Sequence, residues 1–266
     1  MASLNGEVMT DAEPERQTTR EKVVVDALGK RYDSDRQTVQ ALDDVNFAVG
    51  SGEFVCIVGP SGCGKTTLFR LIAGLETPTS GAVRLDGEPV TGPGTDRGMV
   101  FQEYGLFPWR TVRGNVAFGL EEQGVDGEER VARVAEMIEL VGLDGFADAY
   151  PKELSGGMKQ RVGIARALAV DPELLLMDEP FGSVDAQTRD MLHEELLDVW
   201  AETEKTVLFV THDVEEAVTL ADRVVVMAAN PGRVRDVVSV DLERPRTRTA
   251  PAFADYVERI RGLIGD

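Results

Sequence analysis

Residues 54–67 read Phe-Val-Cys-Ile-Val-Gly-Pro-Ser-Gly-Cys-Gly-Lys-Thr-Thr, and this stretch determines the fold that we predict. The apolar run at 54–58 is typical of a buried strand that stops at Gly59. Gly59 to Thr66 then fits the pattern G-x-x-x-x-G-K-[ST]. Apolar residues recur after it at helical spacing: Leu68, Leu71, Ile72 and Leu75. A strand, a glycine-rich loop and a helix in this order predict a binding loop for the phosphates of a nucleoside triphosphate.

The residue types of this loop suit an anionic ligand. Glycines let backbone N–H groups converge on phosphate oxygens, and the start of the following helix adds a favourable dipole. We expect Lys65 to reach the β- and γ-phosphates and the Thr66 hydroxyl to bind Mg²⁺. Nucleotide contacts are predicted along the whole loop: Gly59, Pro60, Ser61, Gly62, Cys63, Gly64, Lys65, Thr66 and Thr67.

The chain has 266 residues, of which 42% are hydrophobic, enough to build one large domain or a domain with a subdomain. No stretch approaches the roughly 18 apolar residues of a membrane span. Residues 1–20 lack an apolar signal-peptide core and are expected to form a loose tail. A cytoplasmic location is therefore expected, with any attachment to the inner face of the membrane provided by a partner.

The charge is strongly negative, at −19 from 47 acidic and 28 basic residues. This balance argues against nucleic acid as a partner, because duplex binding needs a basic surface. The negative charge favours a halophilic protein from a cytosol rich in salt, where an acidic surface remains soluble. The alternative is an ordinary acidic protein. The two cysteines, Cys56 and Cys63, are interpreted as a buried strand thiol and a loop filler.

Strands and helices alternate along the rest of the chain, which predicts an α/β fold with a mainly parallel sheet. Short strands are predicted at 23–25, 39–47, 174–177, 207–210, 224–227 and 234–240. A helix at 126–141 is expected to bury Val131, Val134, Ile138 and Val141, and one opened by Ser155 to bury Val162, Ala165 and Leu168. A final helix is expected to pack on the parent domain through Phe253, Tyr256, Val257, Ile260 and Ile264.

Two acids and a histidine follow predicted strands. Asp178 is placed to serve Mg²⁺ and Glu179 to polarise an attacking water, since ligands of open α/β sheets bind at the carboxyl edge. Without the glycine loop, the acids are equally compatible with a solvated turn. His212 is placed to contact the γ-phosphate, although such a histidine is more often a cap or a core residue. His193, on a polar helix, is expected to be exposed.

Ser155, Gly156, Gly157 and Met158 precede a helix and predict a second anion site without a lysine. With this motif, the sequence resembles the ATP-binding-cassette ATPases over about residues 21–240. Leu154–Met158 matches the family's signature, with Met158 at the position where glutamine is commoner. The other family motifs occur in the expected order and at the expected spacing: Gln102 in the glutamine loop, Leu174–Asp178 in the Walker B strand, Ser183–Asp185 in the D-loop and Thr211–Asp213 around the switch histidine.

The resemblance implies a P-loop NTPase core, an N-terminal antiparallel β subdomain and a helical signature subdomain at about 103–165, followed by an extension at 241–266. It implies ATP and Mg²⁺ as cofactors, with Gln102 as a further metal ligand and Glu179, His212, Gln102 and Lys65 as catalytic residues. Tyr32 is the expected adenine-stacking aromatic; an ordinary half-buried strand-end tyrosine is the alternative. Asp185 and Ser155–Met158 are implied to reach ATP across a head-to-tail dimer of two copies.

The segment after Gln102 contains Pro108-Trp109-Arg110-Thr111-Val112. This pattern resembles importer ATPases for nitrate, sulfonate and taurine, which implies multi-span permease subunits as partners and, indirectly, a solute-binding protein. The Leu, Phe and Trp side chains here are expected either to pack internally or to line a groove for a permease helix. The alternative function is a soluble cassette ATPase in DNA repair, translation or iron–sulfur assembly, but the chain has one cassette, no CxxC and an acidic charge.

Overall fold

The computed structural model describes residues 20–33, 37–182 and 184–265. The predicted tail at 1–20 lies outside the described residues except for Arg20, and so does Ser183. The strands of the described residues are β1 Glu21–Asp33, β2 Thr38–Gly50, β3 Phe54–Val58, β4 Ser80–Leu85, β5 Glu88–Pro89, β6 Arg97–Val100, β7 Leu174–Asp178, β8 Thr206–Val210, β9 Arg223–Ala228 and β10 Arg233–Ser239. The α-helices are α1 Lys65–Ile72, α2 Val112–Glu122, α3 Gly127–Leu140, α4 Gly156–Ala169, α5 Ala186–Thr203, α6 Val214–Leu220 and α7 Pro251–Gly265.

The strands form two sheets. A six-stranded sheet has the order β10-β9-β3-β8-β7-β6, in which β9, β3, β8, β7 and β6 run parallel and β10 pairs antiparallel at one edge. A second, antiparallel sheet has the order β2-β1-β4-β5. The predicted α/β class, with a mainly parallel sheet and an N-terminal antiparallel sheet, is confirmed.

Alternating side chains of β3 serve two different cores, as the period of a strand requires. Phe54, Cys56 and Val58 pack with α2 to α7, whereas Val55 and Ile57 pack with α1 and the antiparallel sheet. Phe54 lies edge-on to Trp200 at 5.7 Å. Burying a ring of this size stabilises the fold by about 2–3 kcal/mol. Because β3 is held on both faces, the loop that follows it starts from a fixed point.

The N-terminal strands are longer than predicted. The sequence predicts two short strands, but β1 and β2 each have 13 residues and pair from Glu21 opposite Gly50 to Asp33 opposite Thr38. Register shifts interrupt this ladder, and Ala27 has a φ of 47°. Such bulges break the two-residue alternation on which a sequence-based prediction depends.

Two predicted helix faces need correction. Val131 is 64% exposed, while Met137 joins Val134 and Ile138 in the core. The buried stripe of α3 is therefore turned away from Val131, which sits roughly 70° from its centre at 100° per residue. Leu75 is also exposed, because α1 ends at Ile72 and Gly74, with a φ of 73°, turns the chain away.

The other core predictions are confirmed. In α4, Val162, Ala165 and Leu168 are buried, and both cysteines are buried and unpaired. The predicted C-terminal helix is α7, which packs on α6, β9 and β10. Helices α2, α3 and α4 pack against one another in the segment predicted as the helical subdomain; α2 and β6 are elements that the sequence did not predict.

Candidate active site

Four neighbouring parallel strands of the large sheet end at one edge, and each is followed by a predicted site residue. The phosphate loop follows β3 and His212 follows β8. Asp178 ends β7, Glu179 comes directly after it, and Gln102 follows β6. Carboxyl ends of parallel strands meet at the same edge, which is where open α/β sheets bind ligands. The topology therefore gathers residues that are up to 153 positions apart in the sequence.

The phosphate loop curves tightly around its own lysine. The Nζ atom of Lys65 donates to the carbonyl oxygens of Gly59 at 2.8 Å and Pro60 at 3.2 Å. Gly64 has a φ of 91°, and a Cβ atom there would lie 2.6 Å from a methyl carbon of Leu42. No acidic residue lies in the first turn of α1. The backbone therefore needs glycine to make this turn, and the start of α1 stays favourable for an anion.

A cleft of about 400 Å³ lies beside the loop. Its walls come from Ser61, Gly62, Gly64, Lys65, Thr66 and Thr67 of the loop, from Glu179, from Val39–Ala41 of β2 and from Asn230–Gly232. The phosphate loop and the proposed catalytic carboxylate thus share one cavity. Its lining contains no residue from 155 to 158 of the signature, which lies on α4.

Glu179 and His212 are in direct contact. The Nδ1 atom of His212 lies 3.0 Å from Oε2 of Glu179. Glu179 has a φ of 43°, and its backbone N–H donates to the carbonyl of Val210 at 3.0 Å. A non-glycine residue in the left-handed region is uncommon and carries a local conformational cost. The backbone therefore turns the carboxylate of Glu179 back toward the end of β8.

Asp178 lies in an environment that opposes its ionisation. Burial and then the adjacent charge of Glu179 raise its pKa, while Lys65 and Arg70 partly offset this effect. Thr66, which carries a hydroxyl group, lines the cleft beside the phosphate loop. These hard oxygen donors fit Mg²⁺, which usually takes one or two carboxylates together with substrate phosphates. No cluster of three or more acidic, histidine or cysteine ligands occurs among the described residues.

Gln102 approaches the turn after Glu179. A Cβ atom built on Gly182 would lie 3.1 Å from Nε2 of Gln102 and 3.4 Å from the carbonyl oxygen of Glu179. The side chain of Gln102 is itself exposed. The glutamine predicted as a metal ligand thus reaches the segment that carries the proposed base.

Tyr32 is the penultimate residue of β1. Its hydroxyl donates to Oε2 of Glu76 at 2.5 Å, and the Nζ atom of Lys30 lies 5.0 Å from the ring centre. Burial and the hydrogen bond to Glu76 raise the pKa of Tyr32, and Thr67 opposes this. The ring therefore lies close to the phosphate loop, although its hydroxyl already has a partner.

The signature and the D-loop residue each begin a helix. Ser155 is the N-cap of α4, where its Oγ accepts from the backbone N–H of Met158 at 3.3 Å. Asp185 is the N-cap of α5, and its hydrogen bond from Thr188 lowers the pKa of its carboxyl group. Both helix starts present backbone N–H groups, as an anion site requires.

Sequence reasoning missed part of the cleft and misjudged one histidine. The turn at Gly232 was predicted only as a turn, yet a Cβ atom there would lie 2.2 Å from the carbonyl of Cys63. His193 was predicted to be exposed, but it is 2% exposed, with Nε2 2.7 Å from Oε1 of Glu216. The polar sequence of α5 does not indicate this contact, because the partner Glu216 lies 23 residues away on α6.

The aromatic segment after Gln102 is partly packed and partly exposed. Phe107 lies 4.6 Å from the ring of Phe118 and 5.6 Å from that of Trp109. Trp109, however, is 72% exposed, and Phe101 is also exposed. Internal packing is therefore confirmed for Phe107, whereas the groove for a permease helix stays a prediction.

The comparisons with known proteins agree with this geometry. The model of the family described as "ABC transporter" matches residues 42–182. The chain is 51% identical over 246 residues to a nitrate import ATP-binding protein of Synechocystis, covering 89% of this chain and 92% of that protein.

The chain belongs to the ABC transporter family.

Two further comparisons place this ABC ATPase more closely. It is 45% identical over 238 residues to an aliphatic sulfonates import ATP-binding protein of Bacillus cereus, covering 90% of this chain and 94% of that protein. The solved dimeric, post-hydrolysis structure of an ATP-binding cassette with ADP and Pi superposes with a TM-score of 0.72 and 34% identity, covering 83% of this chain and all of that one. The protein is thus an ATP-binding, ATP-hydrolysing transporter subunit of the nitrate and sulfonate group. No helix among the described residues has the length and apolar character to cross a bilayer.

Proposed function

We propose that this ABC ATPase drives the import of a small anionic solute, such as nitrate, a sulfonate or taurine. The similarity to nitrate and sulfonate import proteins supports the solute class. The observation that carries the hydrolytic role is the cleft shared by the phosphate loop and Glu179, whose carboxylate contacts His212.

In this proposal the loop and the start of α1 hold the phosphates, and Lys65 moves its donors from the carbonyls of Gly59 and Pro60 to the β- and γ-phosphates. Mg²⁺, held by Thr66, Asp178 and Gln102, would neutralise phosphate charge. Glu179 polarises the attacking water. His212 orients Glu179 through Nδ1, which leaves Nε2 for the γ-phosphate. Tyr32 stacks on the adenine.

A second copy completes the site. The signature Ser155, Gly156, Gly157 and Met158 and the D-loop Asp185 begin helices whose N-termini suit an anion, but the signature does not line the cleft of its own chain. We propose that they contact the ATP of the partner in a head-to-tail dimer. The dimeric solved relative supports this arrangement.

Multi-span permease subunits are the proposed membrane partners, with a solute-binding protein acting through them. The exposed Phe101, next to Gln102 in the sequence, and the exposed Trp109, seven residues after it, supply an apolar contact for a permease helix. This docking would hold the chain on the cytoplasmic face. The net charge of −19 and the presence of only six lysines support function in a salt-rich cytosol, where optimal activity above about 0.2 M salt is expected.

Affinity purification of the full chain from its native cells tests this proposal. The expected result is co-purification of a multi-span membrane protein, and reconstitution of that complex with its solute-binding protein should give ATP hydrolysis stimulated by nitrate or a sulfonate. Stimulation by a sugar or an amino acid without a sulfonate group would contradict the solute class. Co-purification of ribosomes or DNA in place of a membrane protein would contradict transport.

A further inference from the structure

Three arginines follow the last strand of the large sheet at alternate positions, Arg244, Arg246 and Arg248. They lie in the connection between β10 and α7, outside the strands that form the cleft. Each one contacts α5, α6 or the residues that end these helices. We call residues 244–248 the arginine segment.

Arg246 closes the carboxyl end of α6. Its NH1 atom donates to the carbonyl oxygens of Val218 at 2.7 Å and Ala221 at 2.6 Å. Its Nε and NH2 atoms donate to the carbonyls of Leu242 and Val240, both at 3.0 Å. The last carbonyls of a helix lack intrahelical partners and carry partial negative charge, so one guanidinium both caps α6 and attaches it to the connection.

Arg244 joins the same helix end to two other elements. Its NH2 atom donates to the carbonyl of Leu220 at 2.5 Å, and NH1 pairs with Asp222 at 2.7 Å. Its guanidinium also lies 4.7 Å from the ring centre of Trp200 on α5. Asp222 in turn accepts from the backbone N–H of Phe54, at the start of β3, at 2.9 Å. The end of α6 is thereby tied to the strand that leads into the phosphate loop.

Arg248 extends this connection along α5. Its NH2 atom lies 2.7 Å from Asp190 and 3.4 Å from Nδ1 of His193. The other ring nitrogen of His193 contacts the buried carboxylate of Glu216 on α6 at 2.7 Å. A chain of polar contacts therefore runs from the arginine segment through α5 to α6.

The helix held in this way follows the switch histidine in the sequence. Helix α6 begins two residues after His212, and its N-cap, Asp213, accepts from the backbone N–H groups of Glu215 and Glu216. With only seven residues, α6 has few hydrogen bonds of its own to fix its position. We infer that Arg246, supported by Arg244 and Arg248, is a positioning residue that keeps His212 in contact with Glu179. This inference rests on the role proposed above for His212.

The test compares Arg246→Met with Arg235→Met in the full chain, with Mg²⁺ and ATP. Arg235 is the matched control, because it lies on β10 and donates to the carbonyl of Leu263 on α7 at 2.8 Å, so that its hydrogen bond attaches the same extension to β10 and not to α6. Arg246→Met should lower kcat roughly 10- to 100-fold, since small displacements of catalytic groups have effects of this size, while ATP affinity stays at the wild-type value. Arg235→Met should leave both at the wild-type value, and Arg246→Lys should recover part of kcat.

A double-mutant cycle separates positioning from a general loss of structure. If Arg246 acts through His212, Arg246→Met adds no loss to a His212→Ala variant. Losses of kcat that multiply in the double variant, or a fall in ATP affinity equal to the fall in kcat, would overturn the inference.

If His212→Ala is slow while Arg246→Met turns over at the wild-type rate, the inference is also overturned, but the proposed function remains intact. Wild-type turnover by His212→Ala would instead contradict the role of His212 itself. Should Arg246→Met fail to fold, Arg248→Met, on a more exposed side chain, must show the same fall in kcat.

Discussion

His212 Nδ1 lies 3.0 Å from Glu179 Oε2, across the ends of two neighbouring parallel strands. The contact depends on both strands, because Glu179 follows β7 and His212 comes two residues after β8. It also depends on the left-handed backbone of Glu179, which turns the carboxylate toward β8. A pair held in this way can position a water molecule next to phosphates bound by the adjacent loop after β3.

The first prediction concerns the lysine of the phosphate loop. Lys65→Ala should lower kcat/KM for ATP by about 100-fold or more, because it removes the cation expected at the β- and γ-phosphates. Fluorescent ATP binding and phosphate release measure the effect. Lys205→Ala is the control, since Lys205 precedes β8 and so lies at the opposite end of the sheet. Wild-type turnover in Lys65→Ala would refute the assignment of the loop.

The second prediction uses the raised pKa of Asp178. The carboxyl group of Asp178 binds its proton more tightly in the folded protein than in the unfolded protein. Ionisation of Asp178 therefore lowers the free energy of unfolding as the pH rises above about 4. Asp178→Asn should therefore raise the unfolding temperature of the nucleotide-free protein at pH 7, and this gain should disappear as the pH approaches 4. A gain that grows on acidification would contradict the assigned environment.

The third prediction concerns the buried histidine. His193→Ala should lower the free energy of unfolding by roughly 3 kcal/mol. It leaves the Glu216 carboxylate buried without its partner and opens a gap beside Phe181, whose ring lies 5.3 Å from that of His193. His212→Ala is the matched control: that side chain is 65% exposed and should change stability by less than about 0.5 kcal/mol. Urea unfolding measures both. If both substitutions change the free energy of unfolding equally, the contact of His193 with Glu216 contributes nothing to stability.

The fourth prediction tests the signature across the dimer. Ser155→Arg should place a bulky cation at the start of α4 and block the approach of a partner's ATP. Mixed dimers of Ser155→Arg with wild-type chain should therefore lose hydrolysis at the wild-type chain's phosphate loop, while ATP still binds to it. Retention of the wild-type rate per wild-type chain in such mixtures would show that the signature does not act in trans.

The sequence predicted the class of the fold and the strand–loop–helix unit well, because β3 is continuously apolar and the spacing of the glycines is specific. Its limits have physical causes. The bulges in β1 interrupt the alternation of side chains, so the sequence did not indicate the full length of the antiparallel ladder. The exposed Val131 shows that helical spacing alone does not locate the centre of a buried stripe. The strand order, which brings Gln102, Glu179 and His212 to one edge, was not predicted, because the pattern of residues along a strand does not indicate which strands lie beside it.

The polar contacts between distant segments were the least predictable part of the molecule. His193 was misjudged because nothing in the polar pattern of α5 indicates its partner on α6. The arginine segment was predicted only as part of the extension at 241–266, although it contacts both α5 and α6. Such pairs form between surfaces that meet only after the sheet and its helices have assembled.

Light scattering during gel filtration of a Glu179→Gln variant tests the two-copy site most directly. This substitution should preserve ATP binding and remove the base, so that ATP and Mg²⁺ trap a closed pair of chains. The expected mass is twice 28.9 kDa with ATP and Mg²⁺ and 28.9 kDa after ATP is washed out. A single chain's mass in saturating ATP, with nucleotide bound, would contradict the account.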